Sequence, residues 1–258
     1  MSDVTVAAAV LNCLKTIAKK IGWTVRDTVG SVNPDVWREA AFVSASAYSL
    51  FIPRREDVVD RAPDGGLPIV LVHGLGGNRG AWTPLRLFLR LHGRRRIFAF
   101  GFEEGTLEKI AADLKQFVET VQRVCGEAQV DIVAHSLGGL AARYAIQRLG
   151  MAPAVRTLIT LATPHRGTYA AHYANTPLTL VLRPESPVLQ DLNADDFSQT
   201  GIRFTSIGSD RDVYVVPKEM TVHPAAENVF VPGISHSQHL VAPRVFREVL
   251  ARLTPVRE

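Results

Sequence analysis

From residue 69 onward the apolar positions alternate between two rhythms. Short apolar runs occur at 69–72 and 97–100, and short apolar-rich stretches interrupted by polar residues at 130–134, 157–161, 204–207 and 228–231. Runs of this length read as strands buried on both faces, as in a parallel sheet. Between them the apolar residues recur three and four apart. Residues 81–92 form one such stretch, and a longer one carries Leu107, Ile110, Ala111, Leu114, Phe117, Val118, Val121 and Val124. Thr106 caps that helix and Gly126 closes it. Leu140, Ala141, Tyr144 and Ala145 mark another helix, and 245–253 a closing amphipathic one. Repeated strand–helix units predict an α/β fold: a mostly parallel central sheet with right-handed crossovers and helices on both faces.

Two regions break the rhythm. Residues 166–203 hold Pro177, Pro184 and Pro187 and show no clean period. A long insert between two strands suits a cap or lid. At the other end, Val10, Leu11, Leu14, Ile17, Ala18 and Ile21 predict an amphipathic helix over 4–21, ended by Gly22. That helix packs on the core, or it lies on a membrane surface, to which Lys15, Lys19, Lys20 and Trp23 are suited. A second helix starts at Pro34 after Asn33 and carries Val36, Ala40, Phe42 and Val43. Residues 52–68, rich in Pro, Arg, Asp and Gly, read as a loop. The division expected is an N-terminal helical appendage at 1–60 and a catalytic domain at 61–258.

Composition narrows the class. The 258 residues suffice for one sizeable core, and 47% hydrophobic with 21% charged residues is globular. The net charge of +4, from 29 basic and 25 acidic residues, leaves no nucleic-acid footprint, and no nucleic-acid partner is expected. Arg94-Arg95-Arg96, with no interleaved aromatics, reads as a solvated loop. Cys13 and Cys125 show no metal-ligand spacing and no disulfide framework, and both read as small buried apolar side chains. Asp3 precedes the first apolar stretch where a signal peptide would have basic residues, and no A-x-A site follows. No apolar run approaches the roughly 20 residues of a spanning helix. The location expected is cytoplasmic, with peripheral membrane contact through residues 4–23.

In an open α/β sheet, functional groups collect at the carboxyl ends of strands. The run 130–134 leads into Ala134-His135-Ser136-Leu137-Gly138-Gly139, a strand–turn–helix with a serine at its tip. That is a nucleophile elbow, G-x-S-x-G with Ala134 at the first glycine, and it makes Ser136 a candidate nucleophile. After 69–72 comes His73-Gly74-Leu75-Gly76-Gly77-Asn78. The amides of Leu75 and Leu137 could form a two-donor oxyanion hole. A phosphate loop is disfavoured, because Gly-Lys-Ser/Thr is missing. After 204–207 both Asp210 and Asp212 are positioned to orient a histidine. Asp212 is preferred, since the apolar 213–216 run would hold it against the core. After 228–231 come His236 and His239, both within reach, with His236 favoured as the earlier. Gly74 and His135 are expected to line the substrate pocket. His73 and His165 are expected to hold loops, while His92, His172 and His223 carry no signal.

At these residues the sequence resembles the α/β-hydrolase superfamily, within it the bacterial lipase and esterase group. The resemblance rests on His73-Gly74-Leu75-Gly76-Gly77, the Ser136 elbow, Ala162-Thr163-Pro164-His165-Arg166-Gly167-Thr168, and the stretches 208–217 and 233–240. It covers about residues 67–252. It implies the α/β-hydrolase fold, with Ser136 as nucleophile, Asp212 as acid, His236 as base, and Leu75 and Leu137 as oxyanion donors. The activity implied is hydrolysis of carboxylic esters, with a small-molecule or lipid ester as substrate. No metal and no cofactor are expected. Acyltransferase, thioesterase and amidase chemistries use the same parts. A non-catalytic binding protein on this scaffold is discouraged by a serine, an acid and a histidine in the expected order.

Overall fold

The computed structural model describes residues 64–102 and 105–253. The appendage expected at 1–60, its helix over 4–21 and Cys13 lie outside the described residues. The strands are β1 (Ile69–Val72), β2 (Ile97–Phe100), β3 (Val130–His135), β4 (Val155–Leu161), β5 (Arg203–Gly208) and β6 (Glu227–Phe230). Among the described residues they form one sheet in the order β2-β1-β3-β4-β5-β6, and every neighbouring pair is parallel. The chain steps outward from β1 to β2, returns to β3 on the other side of β1, and then steps outward to β6. The order therefore reverses between β1 and β3. The loops leaving their carboxyl ends diverge there and open a crevice.

The helices are α1 (Thr83–Leu91), α2 (Leu107–Cys125), α3 (Leu137–Arg148), α4 (Pro177–Val181), α5 (Pro187–Ala194) and α6 (Pro243–Arg252). Strand geometry sends alternate side chains to opposite faces. Val70, Val72, Ile132 and Ala134 pack with Leu107, Leu114, Leu137 and Leu140 of α2 and α3. Ile69, Leu71, Val133 and Ile159 pack with Leu85, Leu89, Val245 and Val249 of α1 and α6. Both faces are covered, which is why β1 and β2 are apolar throughout and why even the polar Asp131, Thr157 and Thr160 of β3 and β4 are buried. β6 departs from this: it is a half-exposed edge strand that leaves Phe230 at the surface.

The insert at 166–203 is more regular than its sequence suggests. It contains a 3-10 turn (Tyr169–Tyr173), α4, α5 and a second 3-10 turn (Phe197–Thr200). Pro177 and Pro187 break the period because each opens a helix. Proline costs nothing at the first helical position, where no N–H partner exists. Thr176 adds a reciprocal capping box with Thr179.

The arginine run overturns the expectation of a solvated loop. Only Arg95 is exposed, and Arg94 and Arg96 are buried at the amino ends of the strands. Arg94 donates to the Leu67 carbonyl at 2.7 Å and lies 3.9 Å from Asp64 and 4.0 Å from Asp131. Arg96 pairs with Asp64 at 3.6 Å and Glu127 at 3.1 Å, and donates to the Gly66 carbonyl. The acidic partners come from two distant segments, Asp64 before β1 and Glu127 and Asp131 around the start of β3, so the run alone could not reveal them. Cys125 is half-buried at the end of α2.

Asp131 is fully buried, and its removal leaves the buried Arg94 with less compensation. Asp131→Ala is expected to lower unfolding stability by about 3 kcal/mol, measured as a urea midpoint shift. A shift below a quarter of that would count against a stabilising network.

Candidate active site

β3 ends at His135 and α3 begins at Leu137, so Ser136 makes the whole turn. Its backbone takes φ 53° and ψ −125°, outside the regions a non-glycine residue normally occupies. Two close approaches make the turn possible. A Cβ on Gly138 would sit 2.7 Å from the Val72 carbonyl oxygen and closer still to that of His73. A Cβ on Gly74 would sit 2.8 Å from the Ser136 Cβ. Only glycine allows β1's exit loop to lie this close to the elbow. Thr163 then fastens the turn, its hydroxyl donating to the Ser136 carbonyl at 3.0 Å. Sequence reasoning gave Thr163 no such role, although the Thr-Pro-His stretch that contains it was the signal available.

The loop after β1 has its own anchor. His73 Nδ1–H donates to the Gly74 carbonyl at 2.9 Å, and His73 Nε2 accepts from the Phe102 amide at 3.3 Å. Gly77 N–H donates to the same Gly74 carbonyl at 3.1 Å. Leu75, exposed at the rim of the crevice, follows directly. Across from it, the Leu137 amide opens α3, in the first turn where N–H groups lack intrahelical acceptors.

The two carboxylate candidates separate cleanly. Asp212 Oδ2 lies 2.7 Å from His236 Nδ1, and its Oδ1 accepts from the amides of Tyr214 at 2.8 Å and Val215 at 2.9 Å. Burial raises the Asp212 carboxyl, but the charge of His236, its hydrogen bond and the amides outweigh that and hold it below the ordinary carboxylate value. The fixing agent differs from the expected apolar packing. Val215 is buried, but Tyr214 and Val216 face solvent, and backbone amides hold the carboxylate. Asp210 is exposed, and its Oδ1 accepts from the Gly233 amide at 2.6 Å, which ties down the loop leading to His236.

The histidine candidates separate as well. His236 carries its proton on Nδ1 toward Asp212, which leaves Nε2 as the basic nitrogen. His239 is fully buried, and its Nδ1–H donates to the carbonyls of Ser235 at 3.0 Å and His236 at 3.1 Å. His135 Nε2–H also donates to the His236 carbonyl, at 3.2 Å, with the two rings 4.6 Å apart. Because Ser136 follows His135 directly, this contact brings the elbow and the His236 loop to one site.

Beneath the insert lies a second polar cluster. Arg143 of α3 is fully buried and donates to the carbonyls of Leu192 at 2.8 Å and His165 at 3.4 Å, and to the Asn193 side chain at 3.0 Å. Burial lowers its pKa to about 10, so it stays charged at neutral pH. It straps the elbow helix to α5 and to the loop after β4. His165 Nε2 pairs with Thr160 Oγ1 at 2.9 Å, and its ring meets that of His223 at 5.4 Å. His223 had no sequence signal, yet it is buried, and burial lowers its pKa to about 3.

The sequence profile of the palmitoyl protein thioesterase family matches residues 68–206, more than half of the chain. The chain belongs to the palmitoyl protein thioesterase family. Within that family's span lie the β1 exit loop, the Ser136 elbow and the Thr163 loop. Among characterised relatives, a triacylglycerol lipase of Pseudarthrobacter phenanthrenivorans is 30% identical over 122 residues, covering 43% of this chain and 37% of that protein. A triacylglycerol lipase of Burkholderia plantarii is 30% identical over 122 residues, covering 43% and 33%. The chain thus spans about a third of the length of these relatives. Among solved structures, the mature lipase of Bacillus licheniformis superposes with a TM-score of 0.65 at 17% identity, covering 75% of this chain and 94% of that one. Lipase B of Aspergillus fumigatus gives 0.64 at 16% identity, covering 90% and 61%. The fold of this thioesterase-family chain is that of the α/β-hydrolases.

Burial lowers the pKa of His135, His165 and His239 from the ordinary 6.5, so all three are neutral in the folded protein near neutral pH. In the unfolded chain they take up protons below about pH 6.5. Stability is therefore whole above that pH and falls below it, by about 1.4 kcal/mol per pH unit for each such histidine. Urea midpoints should drop steeply from pH 7.5 to pH 5.5. A flat or rising profile over that window would contradict the neutral buried histidines.

Proposed function

We propose that the protein is a serine hydrolase that cleaves carboxylic esters of lipid-like acids through an acyl-enzyme. In this reading Ser136 is the nucleophile, His236 the base and Asp212 the acid, with the amides of Leu75 and Leu137 as oxyanion donors. The observation that carries it is the 2.7 Å contact between Asp212 and His236, beside a serine on a strained strand-to-helix turn. A buried carboxylate on Nδ1 fixes the tautomer and stabilises the imidazolium that forms during the reaction.

The chemistry follows from that arrangement. His236 Nε2 takes the Ser136 hydroxyl proton as Oγ bonds to the ester carbonyl carbon. The carbonyl oxygen becomes an oxyanion facing the two amides. The carbon–oxygen bond to the alcohol breaks, and His236 returns its proton to the departing alcohol. Water then adds to the acyl-enzyme and gives a proton to His236. The acyl–Oγ bond breaks, the carboxylic acid leaves, and the proton returns to Ser136. Each oxyanion donor contributes about 3 kcal/mol to such a step. The exposed Tyr169, Tyr173 and Leu180 of the insert supply an apolar surface suited to acyl chains.

Family membership favours a second reading on the same residues, in which the bond cleaved is a thioester. The steps are those above with a thiolate as leaving group. A panel of p-nitrophenyl esters and acyl thioesters of rising chain length separates the two by relative kcat/KM.

Ser136→Ala is expected to cut kcat by about 10⁵-fold or more, and retained activity would sink both readings. Asp212→Asn should cost about 10⁴-fold by offering His236 the wrong partner. Asp210→Asn, which keeps an acceptor for the Gly233 amide, should stay within about fivefold. Equal losses in the two aspartate variants would refute the assignment of Asp212.

A further inference from the structure

Among the described residues His135 touches both the loop after β1 and the segment carrying His236. Its backbone ends β3 and adjoins Ser136. Its Nδ1 lies 3.0 Å from where a Cβ on Gly74 would be. Its Nε2–H is spent on the carbonyl of His236 at 3.2 Å. A carbonyl oxygen has two lone pairs, and His239 Nδ1 occupies the other at 3.1 Å. The His236 backbone is thus held from two sides, by a donor on the elbow strand and by a donor on its own segment.

From this geometry we infer that His135 is a positioning residue, fixing His236 relative to Ser136 through the His236 backbone carbonyl. The inference rests on the proposed roles of Ser136 and His236. The two ends of the proton transfer sit on different elements: Ser136 on the β3–α3 turn, His236 on the loop after β6. Asp212 orients the His236 ring but belongs to the loop after β5, so it does not link the ring to the elbow. The His135 hydrogen bond crosses 101 positions of sequence and ties the histidine loop to the residue next to the nucleophile. Side-chain geometry matters here because a displacement of about 1 Å can cost about 100-fold in rate.

Only the neutral Nε2–H tautomer serves this role without adding a charge beside His236. The groups that face His135 are His236 and His239 from the segment after β6 and His73 from the loop after β1. Burial, then the charge of His236 and His239, push its protonation well below the ordinary range. His135 therefore stays a neutral donor while His236 cycles its proton.

The test compares wild type with His135→Leu and His135→Gln, with Ser136→Ala as the control for the underlying mechanism. Glutamine carries an N–H donor near the Nε2 position, and leucine carries none. Steady-state kinetics on a p-nitrophenyl ester, the rate of fluorophosphonate labelling and a thermal melt are read together. The expected result is a fall of about 10- to 100-fold in kcat for His135→Leu with KM within twofold. Labelling should slow in parallel, the fold should be intact, and His135→Gln should restore most of the rate. His135→Met, close in volume and without a donor, serves if the leucine variant does not fold. The inference is overturned if kcat of the donor-less variant stays within twofold of wild type. A rise in KM alone overturns it too, since that marks a pocket wall, as does equal loss in His135→Gln. Full activity in Ser136→Ala would overturn the mechanism itself, an outcome distinct from each of these.

Discussion

The structure depends on one constrained turn. Ser136 must pass from β3 to α3 within a single residue, at backbone angles that carry about 1–3 kcal/mol of strain. Such a conformation persists only where its surroundings over-determine it. Here β1 and its exit loop press on Gly138 and, through Gly74, on Ser136 from one side, and the Thr163 hydroxyl holds the Ser136 carbonyl from the other. The parallel pairing of β3 with β1 and β4 places both supports, because it brings three carboxyl strand ends level. Ala134 at the first position of the elbow is buried in the sheet without exposure, which shows that a methyl group fits there.

Around that turn the buried polar groups are almost all neutral. His73, His135, His165 and His239 are buried, and each donates to or accepts from a defined partner. Burial keeps them uncharged, so they act as directional hydrogen-bonding wedges. The one buried carboxylate of the crevice, Asp212, is the exception, compensated by an imidazole and two amides. A charge placed beside a histidine and surrounded by neutral donors is screened little, so its orientation of His236 is strong. The buried charges of the opposite sheet end, Arg94, Arg96, Asp64 and Asp131, form a separate set that fixes the approach to β1.

Arg143 joins these two themes. It is a buried cation that donates to carbonyl and amide oxygens on α3, on the loop after β4 and on α5. Through it the elbow helix and the later half of the insert share a framework. The earlier half, with the exposed Tyr169, Tyr173 and Leu180, has no comparable buried strap among the described residues. The two halves of the insert thus differ in how firmly they are tied to the elbow.

The sequence by itself determined the central strands, the α/β-hydrolase fold and the order of the chemistry-bearing strand ends. It could do so because burial on both faces favours short apolar runs such as 69–72 and 97–100, and because the Ser136 turn tolerates only small residues at positions 134, 138 and 139. The fold comparisons agree with the α/β-hydrolase fold. The tertiary structure alone decided the rest. Asp210 and Asp212 are chemically equal in sequence, and only the loop's path turns one toward His236 and the other toward the Gly233 amide. The Arg94–Arg96 run looked solvated because its partners, at positions 64, 127 and 131, come from other segments. His223 looked silent and the stretch around Pro177 looked aperiodic, because burial and helix-start position depend on what packs nearby. Local pattern encodes which face of an element meets the core. Which side chain meets which partner is settled by contacts between segments far apart in the chain.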